Sequence, residues 1–199
     1  MTLVREKLKG SHPVRFNLDH AQRAADEWGA NCGPGAIAAV LDMTLDEVRP
    51  HMQDFERKHY SNPKLVYATL RSLGVKWRHA EAVWPELGLV RVQWEGPWTM
   101  PGVPRRARYR HTHWIGARRV GENVWNTEIF DINCICAGGW VPLTEWNEQV
   151  VSWLLRVCEP KAFGSWHSTH VLELEERLKG VFAGDQSTTT SEMSHSLNL

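Results

Sequence analysis

Polar and apolar positions follow two different rhythms along this chain. From Leu18 to Trp28, Ala21, Ala24, Ala25 and Trp28 recur at helical spacing, which predicts a helix with one buried face. Gly29-Ala30-Asn31-Cys32-Gly33-Pro34-Gly35 interrupts that pattern. Ala36-Ile37-Ala38-Ala39-Val40-Leu41 follows, small and apolar nearly all round, and reads as a buried helix. Thr44-Leu45-Asp46-Glu47 is a capping box that starts another helix near Leu45, with Pro50 expected to kink or shorten it. Asn62-Pro63 combines an N-cap with proline at the first helical position, and Leu65, Val66, Thr69, Leu70 and Leu73 carry that helix to Gly74. From Val75 the pattern becomes that of strands: Val75–Ala80, Leu89–Trp94, Tyr109–Val120 and Val124–Asn133. Gly121-Glu122-Asn123 is the tight turn that folds the last two into a hairpin. Thr144 is expected to cap a helix running to about Leu155, and Trp166–Leu174 reads as a final strand.

Helices first, then an antiparallel sheet with one more helix, predict an α+β fold in one domain. The length of 199 residues fits one domain, two at most. Residues 1–17 have little periodicity and are expected to form an irregular arm, with the folded domain over 18–178. Residues 184–199 are rich in Ser and Thr with almost no apolar content. The stretch 179–199 is therefore set apart as a polar tail, flexible or held by a partner.

Tryptophan is the one unusual feature of the composition: 11 Trp against 5 Phe and 3 Tyr. Trp offers a large apolar surface and one N–H donor, so a Trp-rich core is expected, with groove walls as the other use. Lys plus Arg and Asp plus Glu both number 23, giving zero formal net charge. That balance argues against a wholesale binder of nucleic acid or anionic membranes. No apolar run approaches the ~18 residues of a membrane span. The opening MTLVREKLKG has no apolar stretch of the secretory kind, so a cytoplasmic location is expected. Four cysteines form no disulfide scaffold and suit a reducing compartment.

The candidate chemistry centres on Cys32. It stands at the expected start of a buried helix, where partial positive charge and open N–H groups lower a thiol pKa. Gly33 lets a carbonyl approach the backbone, and the Cys32 N–H can face a developing oxyanion. A nucleophilic thiol needs a base, and among ten histidines His113 is singled out because it opens the apolar segment Trp114-Ile115-Gly116-Ala117. Counting back from a turn at Gly121–Asn123 puts Asp131 opposite His113 to within a residue or two, close enough to orient the imidazole. Asn133 is the alternative orienting residue.

Asn31-Cys32-Gly33-Pro34-Gly35-Ala36-Ile37-Ala38, the strand-opening His113-Trp114 and Val124…Phe130-Asp131 resemble the papain-like cysteine peptidase superfamily. Within it they are similar to the bacterial peptidases that cleave bacteriocin leaders at double-glycine sites. The resemblance spans roughly residues 20–155 and implies a papain-like fold whose central helix starts at Cys32. It also implies Cys32 as nucleophile, His113 as base and acid, Asp131 as orienting residue, and no cofactor. The family places a Gln six residues before the cysteine as an oxyanion donor. This chain has Asp26 there, leaving Gln22 and Asn31 as candidate donors. The implied substrate is a peptide, a protein or a cell-wall amide.

Three further features bear on function. The pairs Cys134-Ile135-Cys136, His111-Thr112-His113 and His167-Ser168-Thr169-His170 fall short of zinc-site spacings, so no metal is expected. Arg105, Arg106, Arg108 and Arg110 form a basic run beside His113 suited to an anionic partner. The unusual Asp26, the arm and the tail also admit a second reading. This is a non-catalytic structural or interaction protein, such as a phage virion component, assembling through its ends.

Overall fold

The computed structural model describes residues 14–29, 31–52, 55–81, 84–121, 123, 126–157 and 161–175. It is an α+β fold: helices precede a six-stranded antiparallel sheet in the order β1-β6-β2-β3-β4-β5.

The first helix, α1 (Leu18–Trp28), begins with the Asn17 side chain accepting from the His20 N–H and ends at Gly29 in the left-handed conformation. Its buried face is Ala21, Ala24 and Trp28. The second, α2 (Cys32–Val40), is buried from Gly33 to Val40. The capping box at Thr44 opens α3 (Leu45–Val48), and Pro50 falls in the 3-10 turn Arg49–His51 that ends it. A single turn, α4 (Phe55–Lys58), leads to α5 (Pro63–Ser72), capped by Asn62. Strands β1 (Trp77–His79) and β2 (Leu87–Trp94) follow. After the short α6 (Arg105–Arg108) come β3 (Thr112–Arg119), β4 (Thr127–Phe130) and β5 (Trp140–Pro142). A continuous helical stretch then runs through α7 (Leu143–Glu145), a wider π-helical segment (Trp146–Val151) and α8 (Ser152–Val157). The last strand, β6 (Trp166–Leu174), lies between β1 and β2.

Alternating residues of the strands build two cores, one on each face of the sheet. Leu89, Trp114, Phe130, Trp140 and Leu172 pack with α1, α2 and α5. Val90, Ile115, Ile129, Val141 and Val171 pack with Trp146, Val150 and Leu154. Five tryptophans (Trp28, Trp94, Trp114, Trp140 and Trp146) are buried in these cores.

Four sequence expectations need correcting. The expected strand Val124–Asn133 is paired only over Thr127–Phe130, because Ile132–Ala137 winds into a 3-10 helix capped by the Asp131 side chain. The hairpin register pairs Arg119 with Thr127 and Gly116 with Phe130, two residues off a turn centred on Glu122. The connection closes wider, with the Val120 N–H donating to the Asn126 carbonyl. Thr144 is not the cap of the late helix, which starts at Leu143 directly after Pro142. The end of the expected arm belongs to the body: Phe16 is fully buried and Arg15 pairs with Glu47. Residues 1–13 and the tail 179–199 lie outside the described residues.

Candidate active site

Cys32 is the first residue of α2, and its helix leans on β3 through a close approach at Gly116. A Cβ there would sit 2.7 Å from Val40 Cγ2 and 3.2 Å from Phe130 Cβ. Gly33 is equally confined, since an added Cβ would fall 1.9 Å from Ser61 Oγ. Gly116 lets the far end of α2, at Val40, settle against the sheet, and Gly33 lets its start settle against the Ser61 loop. Trp114 pins that loop, donating its indole N–H to the Ser61 carbonyl at 2.8 Å.

His113 stands at the start of β3, paired in register with Val92 of β2. Its side chain is 13% exposed, and Asp131 is wholly buried. His113 Nε2 donates to Asp131 Oδ1 at 2.9 Å, and the Cys32 thiol lies close enough for its charge and that of His113 to act on each other. Asp131 is fixed in turn by the Asn133 N–H at 2.9 Å, Asn133 Nδ2 at 2.7 Å and the Trp146 indole N–H at 2.9 Å. Asn133 therefore holds Asp131 rather than replacing it.

The electrostatics follow from burial and this chain of contacts. Burial pushes the Cys32 thiol up, but the hydrogen bond and charge of His113, with the Trp114 N–H, bring it below its ordinary value. Burial likewise disfavours the His113 imidazolium, yet the carboxylate of Asp131 and then Cys32 outweigh it and hold His113 well above its usual range. Burial raises Asp131, while His113, Trp146 and Asn133 pull it below the usual carboxylate value. The arrangement favours a thiolate–imidazolium pair backed by a buried carboxylate. Cys134 is the contrast: burial, with the charges of Asp131 and Glu145, drives its thiol far up.

The other expected site residues fall elsewhere. Gln22 is exposed on α1 and donates to Asp26 Oδ1 at 2.8 Å, so neither side chain is turned to Cys32. Asn31 adjoins Cys32 but donates back to the Ala21 carbonyl at 3.4 Å and does not cap α2. Of the basic run, Arg105 lines a groove beside Cys32. Arg108 donates to the Val103 carbonyl, and Arg110 is exposed. The Arg106 side chain lies outside the described residues.

Two residues of the site were not singled out from sequence for what they do there. Trp146 reads as packing, and its donation to Asp131 has no sequence signal. Arg91 had one: a cation in the middle of the apolar strand Leu89-Val90-Arg91-Val92. The groove, about 890 Å³, is lined by Cys32, Arg91, Trp114, Tyr67, Tyr109 and His170 among others. Among the described residues no group of three or more His, Cys, Asp or Glu is placed to hold a metal ion. Nor is any described helix long and apolar enough to cross a membrane.

Comparison with known proteins finds no matching family model, no matching curated protein and no matching solved structure.

Proposed function

We propose that this chain is a papain-like cysteine peptidase or amidase that cleaves an amide through Cys32. The observation that carries this reading is the Cys32–His113–Asp131 array, with His113 Nε2 on the buried Asp131 at 2.9 Å and Cys32 beside the imidazole. The Cys32 thiolate attacks the amide carbonyl carbon, and the carbonyl oxygen takes the negative charge. The Cys32 N–H, at the start of α2, is the backbone donor for that oxyanion. The imidazolium of His113 gives its proton to the leaving nitrogen, the C–N bond breaks, and a thioester remains. His113, now neutral, takes a proton from water, whose oxygen attacks the thioester and frees the acid and Cys32. Asp131 holds the imidazole in one orientation throughout and stabilises its charged form.

The test is the pH dependence of iodoacetamide alkylation, read by peptide mass spectrometry in wild type and His113→Ala. Cys32 is expected to react with an apparent pKa well below the ~8.5 of a free thiol. It should also outpace the exposed Cys136, and His113→Ala should remove the advantage. A Cys32 that reacts no faster than Cys136 would sink the catalytic reading.

A further inference from the structure

Among the described residues, the groove beside Cys32 carries cationic side chains with no carboxylate among them. Its lining among the described residues includes Lys64, Arg91 and Arg105 and no Asp or Glu. Lys64 and Arg105 are exposed, but Arg91 is only 6% exposed. It sits mid-strand on β2, between Trp114 of β3 and His170 of β6 in register. Its Nη2 donates to Thr112 Oγ1 at 3.0 Å and its Nη1 reaches Thr169 Oγ1 at 3.5 Å, which fixes the plane of the guanidinium. Its Nε is buried without a hydrogen-bond partner. Among the described residues no carboxylate pairs with it. A buried cation without a carboxylate partner is costly, and a ligand that brings one would offset that cost.

We propose that the groove binds a carboxylate of the substrate against Arg91, so that the amide cleaved beside Cys32 belongs to an acidic peptide. The cleavage rests on the peptidase reading; the carboxylate site itself does not. With one proton of each Nη group directed to a threonine, three N–H donors remain, Nε–H among them, and two side by side match the two oxygens of a carboxylate. Tyr67 and Trp114 supply apolar walls for the stem that carries the acid. Burial pulls the Arg91 guanidinium below its ordinary pKa, while Cys32, Tyr109 and Tyr67 push the other way, so a bound carboxylate would meet a cation held by weak neighbours.

The probes are N-iodoacetyl-glycine, N-iodoacetyl-β-alanine and N-iodoacetyl-4-aminobutyrate, each with its neutral carboxamide twin. Alkylation forms the Sγ–CH2 bond and releases iodide, and the rate at Cys32 is read against Cys136 in the same chain. At one arm length the acid should alkylate Cys32 about tenfold faster than its twin, the factor that ~1.4 kcal/mol gives. Arg91→Gln should bring that ratio down to the one at Cys136, and Thr112→Val should lower it part of the way. His113 is present in all three proteins, so its own pull on anions cancels. A preference that peaks on the short arm marks a chain-terminal carboxylate; on the long arm, an acidic side chain. Equal ratios at every length, or a preference that survives Arg91→Gln, overturn the proposal. If the neutral twins alkylate Cys32 no faster than Cys136, the peptidase reading falls, and thermal unfolding with glutarate or glutaramide decides the site. A rise in Tm specific to glutarate and lost in Arg91→Gln sustains the carboxylate site, and its absence removes it.

Discussion

Asp131 uses its acceptors entirely inside the protein. Oδ1 takes His113 and Asn133, and Oδ2 takes Trp146. Asp131→Asn keeps the shape but turns an amide N–H₂ toward groups that are themselves donors. A buried donor left facing a donor costs about 1–3 kcal/mol, to be read from urea unfolding. The same change removes the negative charge that raises His113. With a weaker imidazolium the Cys32 thiolate is less favoured, so the iodoacetamide profile of Cys32 should move to higher pH. Loss of stability with a profile that stays put or moves to lower pH would mean that Asp131 does not favour the thiolate through His113. The residue was legible in the sequence because a strand-borne acid stood near a strand-borne His across a turn. Its hold on Trp146 was not, because that contact joins segments through the second core, with no local signal to mark it.

At the scale of elements, capping chemistry was the readable part. Asn62-Pro63 and Thr44-Leu45-Asp46-Glu47 open helices where their side chains satisfy the first free N–H groups. The register of the β3–β4 hairpin was less readable, since a wide connection at Val120–Asn126 displaces it by two residues. Asp131 still meets His113 because β4 ends at Phe130 and the chain bends there into the 3-10 helix. The widened helical segment beginning at Trp146 was also hidden. It is a π-type departure, of the kind that recurs at functional sites, and its first residue is the one that reaches Asp131. The joint between α2 and β3 at Val40 anchors the far end of the helix that begins at the thiol. Gly116→Ala places a methyl against Val40 and Phe130, so overpacking should cost about 1–3 kcal/mol and displace α2. The expected readouts are a lower Tm and a slower Cys32 alkylation at fixed pH. An unchanged alkylation rate would show that the start of α2 is held by the Ser61 loop instead.

Across the whole molecule, the site is the seam between the two cores. Cys32 packs with the helical side of the sheet, Trp146 with the other, and Asp131 and His113 connect them. Ionisation at this seam therefore belongs to global stability. Asp131 is lowered in the fold, so its contribution is complete above its unfolded value of ~3.9 and is lost as pH falls through the folded one. His113 is raised, so its contribution is complete below ~6.5 and is lost as pH rises through its higher folded value. Cys32 is lowered and works against His113 on the alkaline side: its contribution is complete above the unfolded thiol value and falls away with pH below that. Cys32→Ala removes that opposing part and leaves the carboxylate that chiefly raises His113. In this variant, the stability from urea unfolding should hold a plateau between about pH 4 and 6.5 as far as these two groups govern it, declining on both sides. Adding His113→Ala should flatten the alkaline decline while leaving an acid decline from the remaining hydrogen bonds to Asp131. A Cys32→Ala protein whose stability is level from pH 6 to 9 would mean that Asp131 alone does not hold His113 above its unfolded value.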